Sequence, residues 1–330
     1  MNWKSELADC ITTPEQFAVH FPIDLSLLHG VVRRYPMQIT PHTFKLIESA
    51  NDPIWRQVVP DPRELLDDNL PEDSLNESGY SPVPAVVHRY TDRALLLVSG
   101  KCAGYCRFCT RKNRVGTGQL CFGWNQIEQG LVYLREATQV RDVILTGGDP
   151  LLLDDEHLAS ILSRLFALPH IEIVRIGSRI PVVLPSRITA SLCTILARFQ
   201  PLYLNTHFNH PREVTSSNVA ACGLLANSGV PLSNQAVLLR GVNDDSEVMR
   251  QLCRELLKIR VRPYYLHHLD HAKGTGHFHV PVEKGMKIIN SMRGQISGLG
   301  IPHYVYDPPD GSGKKPVLDS PPKTIDGLRS

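Results

Sequence analysis

Ala94-Leu95-Leu96-Leu97-Val98-Ser99-Gly100-Lys101-Cys102-Ala103-Gly104-Tyr105-Cys106-Arg107-Phe108-Cys109 is the stretch on which the fold turns. Its first part, Ala94–Gly100, is an apolar run of strand length, and a polar loop holding three cysteines follows at once. Downstream the same cadence returns in Asp142–Gly148, Glu172–Ser178, Leu202–Phe208, Leu232–Gly241 and Arg262–His268. These later runs recur about every 30 residues, the length of one strand–helix unit. Between them lie patterns of helical period: Trp124–Ala137, Glu156–Leu168, Ala190–Phe199, Val219–Ser228 and Glu247–Arg260. Six strands alternating with helices predict an α/β fold with a parallel sheet. Each run ends in a polar or glycine-bearing cluster, which favours a barrel with one active face over an open doubly wound sheet. Six units rather than eight predict a partial (β/α)6 barrel of the TIM type over residues 86–300. A helical and irregular region, 1–85, precedes it, and a short segment rich in Pro, Gly and Lys, 301–330, follows.

Composition narrows the class. A chain of 330 residues buries a substantial core, and a formal charge of +2 leaves no footprint for nucleic acid. No apolar run approaches the roughly 20 residues that span a bilayer. The polar start, Met1 to Cys10, does not read as a signal peptide, so a cytoplasmic protein is expected. Of eight cysteines, Cys10, Cys121, Cys193, Cys222 and Cys253 are scattered, the last four in or beside helix-like patterns where a thiol acts as a small apolar group. A disulfide framework is not expected.

Cys102, Cys106 and Cys109 form a CxxxCxxC loop directly after a strand. Three thiolates from one loop hold three irons of a [4Fe–4S] cube and leave the fourth iron open. An open iron is what S-adenosylmethionine (SAM) needs for its amino and carboxylate groups. Zinc is the weaker reading, because a structural site wants a fourth ligand at zinc-like spacing. The loop, with Phe108 before the third cysteine, is the signature of the radical SAM superfamily. Gly147-Gly148-Asp149-Pro150 ends the second strand and reads either as a tight turn or as a close approach to the amino group of SAM.

Longer stretches resemble the lysine 2,3-aminomutase family. They are Ser81–Arg93, Cys102–Arg111, Val140–Pro150, Ile171–Thr189, Leu204–Pro211, Asn234–Asp244, Lys258–Leu266, Asp270–Phe278 and Asp307–Pro316. The resemblance implies a radical SAM barrel that also uses pyridoxal phosphate (PLP) and moves an amino group between adjacent carbons. Asp307-Pro308-Pro309-Asp310-Gly311-Ser312-Gly313-Lys314 is similar to the family's glycine-rich turn, which ends in the PLP-bearing lysine, here Lys314. Taken alone the segment reads as a solvated tail, and it lacks the first glycine and the Ser/Thr of a P-loop. Arg111 matches the arginine for the substrate's α-carboxylate, and Asp270 and Asp307 match the two carboxylates for a distal ammonium. The family's PLP-phosphate segment falls on Arg89 and Arg93, and His207, Asn209 and Gln235 at strand ends are candidate SAM contacts.

His267, His268, His271, His277 and His279 are of metal-ligating type, but the resemblance puts the substrate site here and they read as wall residues. The expected substrate is lysine, with one-electron supply from a flavodoxin or ferredoxin. Alternatives are a lysine side chain on an elongation factor, arginine, a radical deaminase, or a cluster protein without SAM chemistry. Clostridial members carry further zinc-binding cysteines, and Asp245 stands where they have one. A homo-oligomer without interfacial zinc is therefore expected.

Overall fold

The computed structural model describes residues 2–67, 69–120 and 122–317; Cys121 and the end of the tail, 318–330, lie outside them. Five short helices lead in: α1 (Trp3–Ala8), α2 (Pro14–Ala18), α3 (Leu25–Arg34), α4 (Pro41–Phe44) and α5 (Pro53–Val58). Each starts at a side-chain cap, Asn2, Thr13, Asp24, Thr40 and Asp52. Helices this brief need such caps, because few backbone bonds offset the cost of nucleation. Their apolar faces meet in a small core around Phe17, Ile39, Ile54 and Val58.

Nine strands then form one sheet in sequence order: β1 (Val86–Tyr90), β2 (Arg93–Ser99), β3 (Asp142–Gly147), β4 (Ile173–Gly177), β5 (Leu202–Thr206), β6 (Leu232–Val237), β7 (Val261–His267), β8 (His303–Tyr306) and β9 (Lys315–Pro316). Strands β2 to β8 are parallel, while β1 and β9 pair antiparallel at the edges. The crossovers are α6 (Trp124–Glu136), α7 (Asp155–Phe166), α8 (Ile180–Val183) with α9 (Ala190–Ala197), α10 (Ser216–Asn227), α11 (Ser246–Lys258) and α12 (Val282–Met292). The six strands and five helices expected from the sequence are all present. Strands β1, β8 and β9 and helix α12 went unread, and the segment taken for a tail opens with β8, a seventh parallel strand.

Strand and helix patterns interlock. Val143, Leu145, Val174, Ile176, Leu202 and Leu204 alternate along their strands and pack against Leu158, Ile161, Leu162 and Leu165 of α7 and their counterparts in one core. The opposite strand face carries Thr146, Arg175, Asn205 and Gln235, so the concave side is polar. Asp245 caps α11 through the amides of Glu247 and Val248, which accounts for an aspartate there. Arg89 of β1 reaches Asp307, just past β8, at 3.1 Å. Two strands at opposite ends of the sheet order touch through their side chains, so the sheet curls into a partial barrel. No helix among the described residues is long and apolar enough to cross a membrane.

Candidate active site

The cysteine loop leaves the carboxyl end of β2 and is bolted down from three directions. Arg107, between the second and third cysteines, is fully buried and binds Glu64 through Nε at 2.9 Å and Nη2 at 2.5 Å. Lys112 donates to the same carboxylate at 2.7 Å and to the carbonyls of Arg107 and Gly274, each at 2.8 Å. Burial works against the Glu64 charge, but Arg107 and then Lys112 outweigh it and hold the carboxyl below its ordinary range. Burial lowers Lys112 to about 8, with Glu64 opposing the fall. From the barrel, Arg179 after β4 donates to the Cys106 sulfur at 2.8 Å and is itself held by Gln57 and Glu213. Burial and mutual repulsion push the Cys102 thiol well up and Cys109 to about 11. Thiols so shifted become thiolates only beside strong positive charge, which suits bound iron.

Gly147 and Gly148 approach this loop rather than open space. A Cβ on Gly147, which has φ +120°, would lie 2.3 Å from the Ser99 carbonyl, and one on Gly148 2.3 Å from that of Lys101. The amides of Gly148 and Asp149 donate to those same carbonyls at 2.6 and 2.7 Å. The Asp149 carboxylate faces inward, accepting from Ser178 Oγ and from the amides of Leu151, Arg179 and Ile180. Burial nevertheless raises it to about 6. Gly148→Ala should therefore displace the cysteine loop. The expected result is a folded protein by circular dichroism that holds at most a small fraction of wild-type iron after reconstitution.

A second pole forms where the sheet's ends meet. Asp307 accepts from Lys314 Nζ at 2.9 Å and Tyr90 Oη at 3.0 Å, and forms an ion pair with Arg89 Nη1 at 3.1 Å. Burial opposes its charge, and Lys314 and Arg89 overcome that, holding Asp307 below the usual range. Asp270, past β7, rises to about 7 through burial and then through the Asp307 charge. Gly311 and Gly313 adopt φ of +76° and +92°, the left-handed region that sharpens the turn into Lys314. Nε and Nη2 of Arg89 are buried without a partner, two guanidinium donors that suit an anion's oxygens. Arg93 lies outside this set: it stacks 4.7 Å over Tyr90 with its side chain 44 % exposed.

The two poles connect. His207 packs on Phe108 at 5.3 Å, its carbonyl accepts from Arg179 Nε, and its Nε2 is buried without a partner. Burial and the nearby charges of Arg179 and His267 hold it well below its ordinary range. His267 falls to about 3 through burial and then Lys314, and its Nε2 lies 3.4 Å from Gln235. Asn209 is fully buried and spent on protein, accepting from the Val237 amide and donating to Gln57. Arg111 donates twice to Glu77 through Nε and Nη2, while Nη1 reaches Thr146 Oγ1 and the Gly147 carbonyl. Sequence reasoning missed Arg179, Glu64, Glu77, Gln57 and Glu213. Nothing in their local sequence marks them, since each acts on a residue far along the chain.

A curled parallel sheet with a half-buried three-cysteine loop at the end of its first parallel strand defines a radical SAM enzyme. No family model matches the chain. It is 46 % identical over 325 residues to the L-lysine 2,3-aminomutase of Acetoanaerobium sticklandii, covering 96 % of this chain and 78 % of that protein. The L-lysine 2,3-aminomutase of Clostridium subterminale is 46 % identical over 323 residues, with coverage of 96 % and 78 %. The glutamate 2,3-aminomutase of Clostridioides difficile is 40 % identical over 322 residues, covering 96 % and 76 %. The chain belongs to the lysine 2,3-aminomutase family.

Proposed function

We propose that the protein moves the α-amino group of L-lysine to the β-carbon, using PLP on Lys314 together with the cluster and SAM. One observation carries the substrate: an alkylammonium, that of Lys314, already sits 2.9 Å from Asp307 beside a second carboxylate, Asp270. When Lys314 gives up its charge to hold PLP, the two acids need another cation, and a lysine substrate's distal ammonium is one. A glutamate substrate would bring a third carboxylate to that place. At the other end, Glu77 holds Arg111 through Nε and Nη2, and the guanidinium so placed suits the α-carboxylate of an amino acid.

Cys102, Cys106 and Cys109 would hold the cluster, and Arg89 with its two spare donors the PLP phosphate. Bound PLP would supply the conjugated system through which nitrogen bridges two carbons, and cluster-bound SAM the hydrogen-abstracting radical. The chain's residues do the rest: Arg111, Asp270 and Asp307 fix the substrate at both ends, and the polar barrel wall confines it. His207 and His267, held neutral by burial, line the wall between the poles without adding charge. Electrons would come from a flavodoxin or ferredoxin.

Anaerobic reconstitution with SAM, a low-potential reductant and L-lysine tests this reading: β-lysine is expected, and turnover of glutamate instead would overturn it. The pH dependence is a sharper check. Asp270, at about 7, loses its charge as pH falls, so KM for lysine should rise below pH 7, and Asp270→Asn should raise KM and flatten the profile. The stability sign is the opposite. A carboxyl whose native pKa lies above its unfolded value makes the fold less stable as pH rises from about 4 to 7. Added lysine relieves that cost, so its stabilisation in thermal melts should be greater at pH 8 than at pH 5.5.

A further inference from the structure

Three of the histidines read as wall residues converge. His268 follows β7, His271 lies in the next loop, and His279 follows the 3-10 turn Gly276–Phe278. One ring nitrogen from each lies within 4.8 Å of the other two. The rings of His271 and His279 are 5.3 Å apart, and that of His268 is 5.7 Å from His279. Nε2 of His268 and Nε2 of His271 are buried without a hydrogen-bond partner. Leaving two imidazole nitrogens dry and unpaired is costly unless something binds them.

We propose that His268, His271 and His279 form a binding site for one divalent cation of the zinc type, separate from the cysteine loop. Donor chemistry favours a borderline ion: three imidazoles, with a fourth position left for water. The Nδ1 of His268 lies 2.8 Å from Tyr304 Oη on β8. That partner fixes the ring so that Nε2 is presented to the metal, as outer hydrogen bonds do for metal-bound histidines. Zinc–nitrogen bonds of about 2.0 Å place the nitrogens roughly 3.3 Å apart in a tetrahedron, so the three rings close by small side-chain rotations. The ion would pin the loop from 268 to 279 at both ends. Asp270 rides on that loop, so the site would hold this ammonium-binding carboxylate in place without touching substrate. The site itself does not depend on the lysine reading.

Zinc is the probe. Cluster-loaded protein, dialysed against chelator and then given Zn2+, is expected to retain one zinc per chain beyond its iron. Absorption at the zinc edge should show nitrogen neighbours at about 2.0 Å, imidazole outer-shell scattering and no sulfur shell. His271→Asn and His279→Gln should each weaken zinc at least about 100-fold, and Tyr304→Phe roughly 10-fold, with iron content and circular dichroism unchanged. Hydrogen exchange across 269–278 should slow with zinc in the wild type alone. Retention of no zinc, a sulfur shell, or affinity indifferent to the histidine changes would each overturn the site. Because none of these readouts needs turnover, a wrong substrate would leave them intact.

Discussion

Lys314→Ala protein is expected to keep its iron and to lose amino-group transfer by a factor on the order of 10^3 or more, as when a covalent anchor is removed. The geometry gives the reason. Lys314 is the amine that the Gly311 and Gly313 turn delivers to Asp307, beside the buried, unpartnered donors of Arg89. Lys315, its neighbour, pairs opposite Tyr306 in β9, and it is Lys314 whose Nζ reaches Asp307. Lys315→Ala should therefore remain close to wild type. Borohydride treatment of PLP-loaded protein followed by peptide mapping should place the pyridoxyl group on Lys314. Substantial transfer by Lys314→Ala, or a label on Lys315, would remove the PLP assignment and leave the cluster assignment standing.

Glu64→Ala carries the largest expected effect on stability. Glu64 is 1 % exposed and is the one carboxylate shared by Arg107 and Lys112. Removing one partner of a buried ion pair costs about 3–5 kcal/mol, because the remaining charge has no compensation. The two cations differ in what they can do next. Lys112, already brought to about 8, can shed its proton, whereas a guanidinium cannot. The stranded Arg107 charge thus dominates the cost. A fall in the unfolding midpoint of roughly 5–10 °C follows, together with reduced iron loading, because Arg107 sits inside the cysteine loop. Glu64→Gln keeps the shape and should fall between the two. Wild-type melting and full iron content in Glu64→Ala would show that the loop is held by other contacts.

Much of the architecture was legible because it is written in local period. The run from Ala94 to Gly100, and the five that follow it, name β2 to β7. The faces of α6, α7, α9, α10 and α11 show the spacing that a helix buries. The runs in β1 and β8 escaped notice for a physical reason. Val86–Tyr90 ends in His-Arg-Tyr, and His303–Tyr306 is four residues long, so neither has a pattern apart from the strand it pairs with. Tertiary context, not propensity, makes them strands.

The cysteine loop was legible in the sequence by itself, because its chemistry lies within a few consecutive residues, whereas the glycine turn into Lys314 was legible only through the family resemblance. What they face was decided only by folding. Arg107 meets Glu64 across 43 positions, Arg111 meets Glu77 across 34, and Arg179 reaches Cys106 across 73. A buried charge finds its partner wherever the curled sheet brings one within about 3 Å, and no sequence spacing encodes that meeting. The convergence of His268, His271 and His279 is of the same kind: a string of histidines reads as a wall until the loop folds back and turns three of them inward.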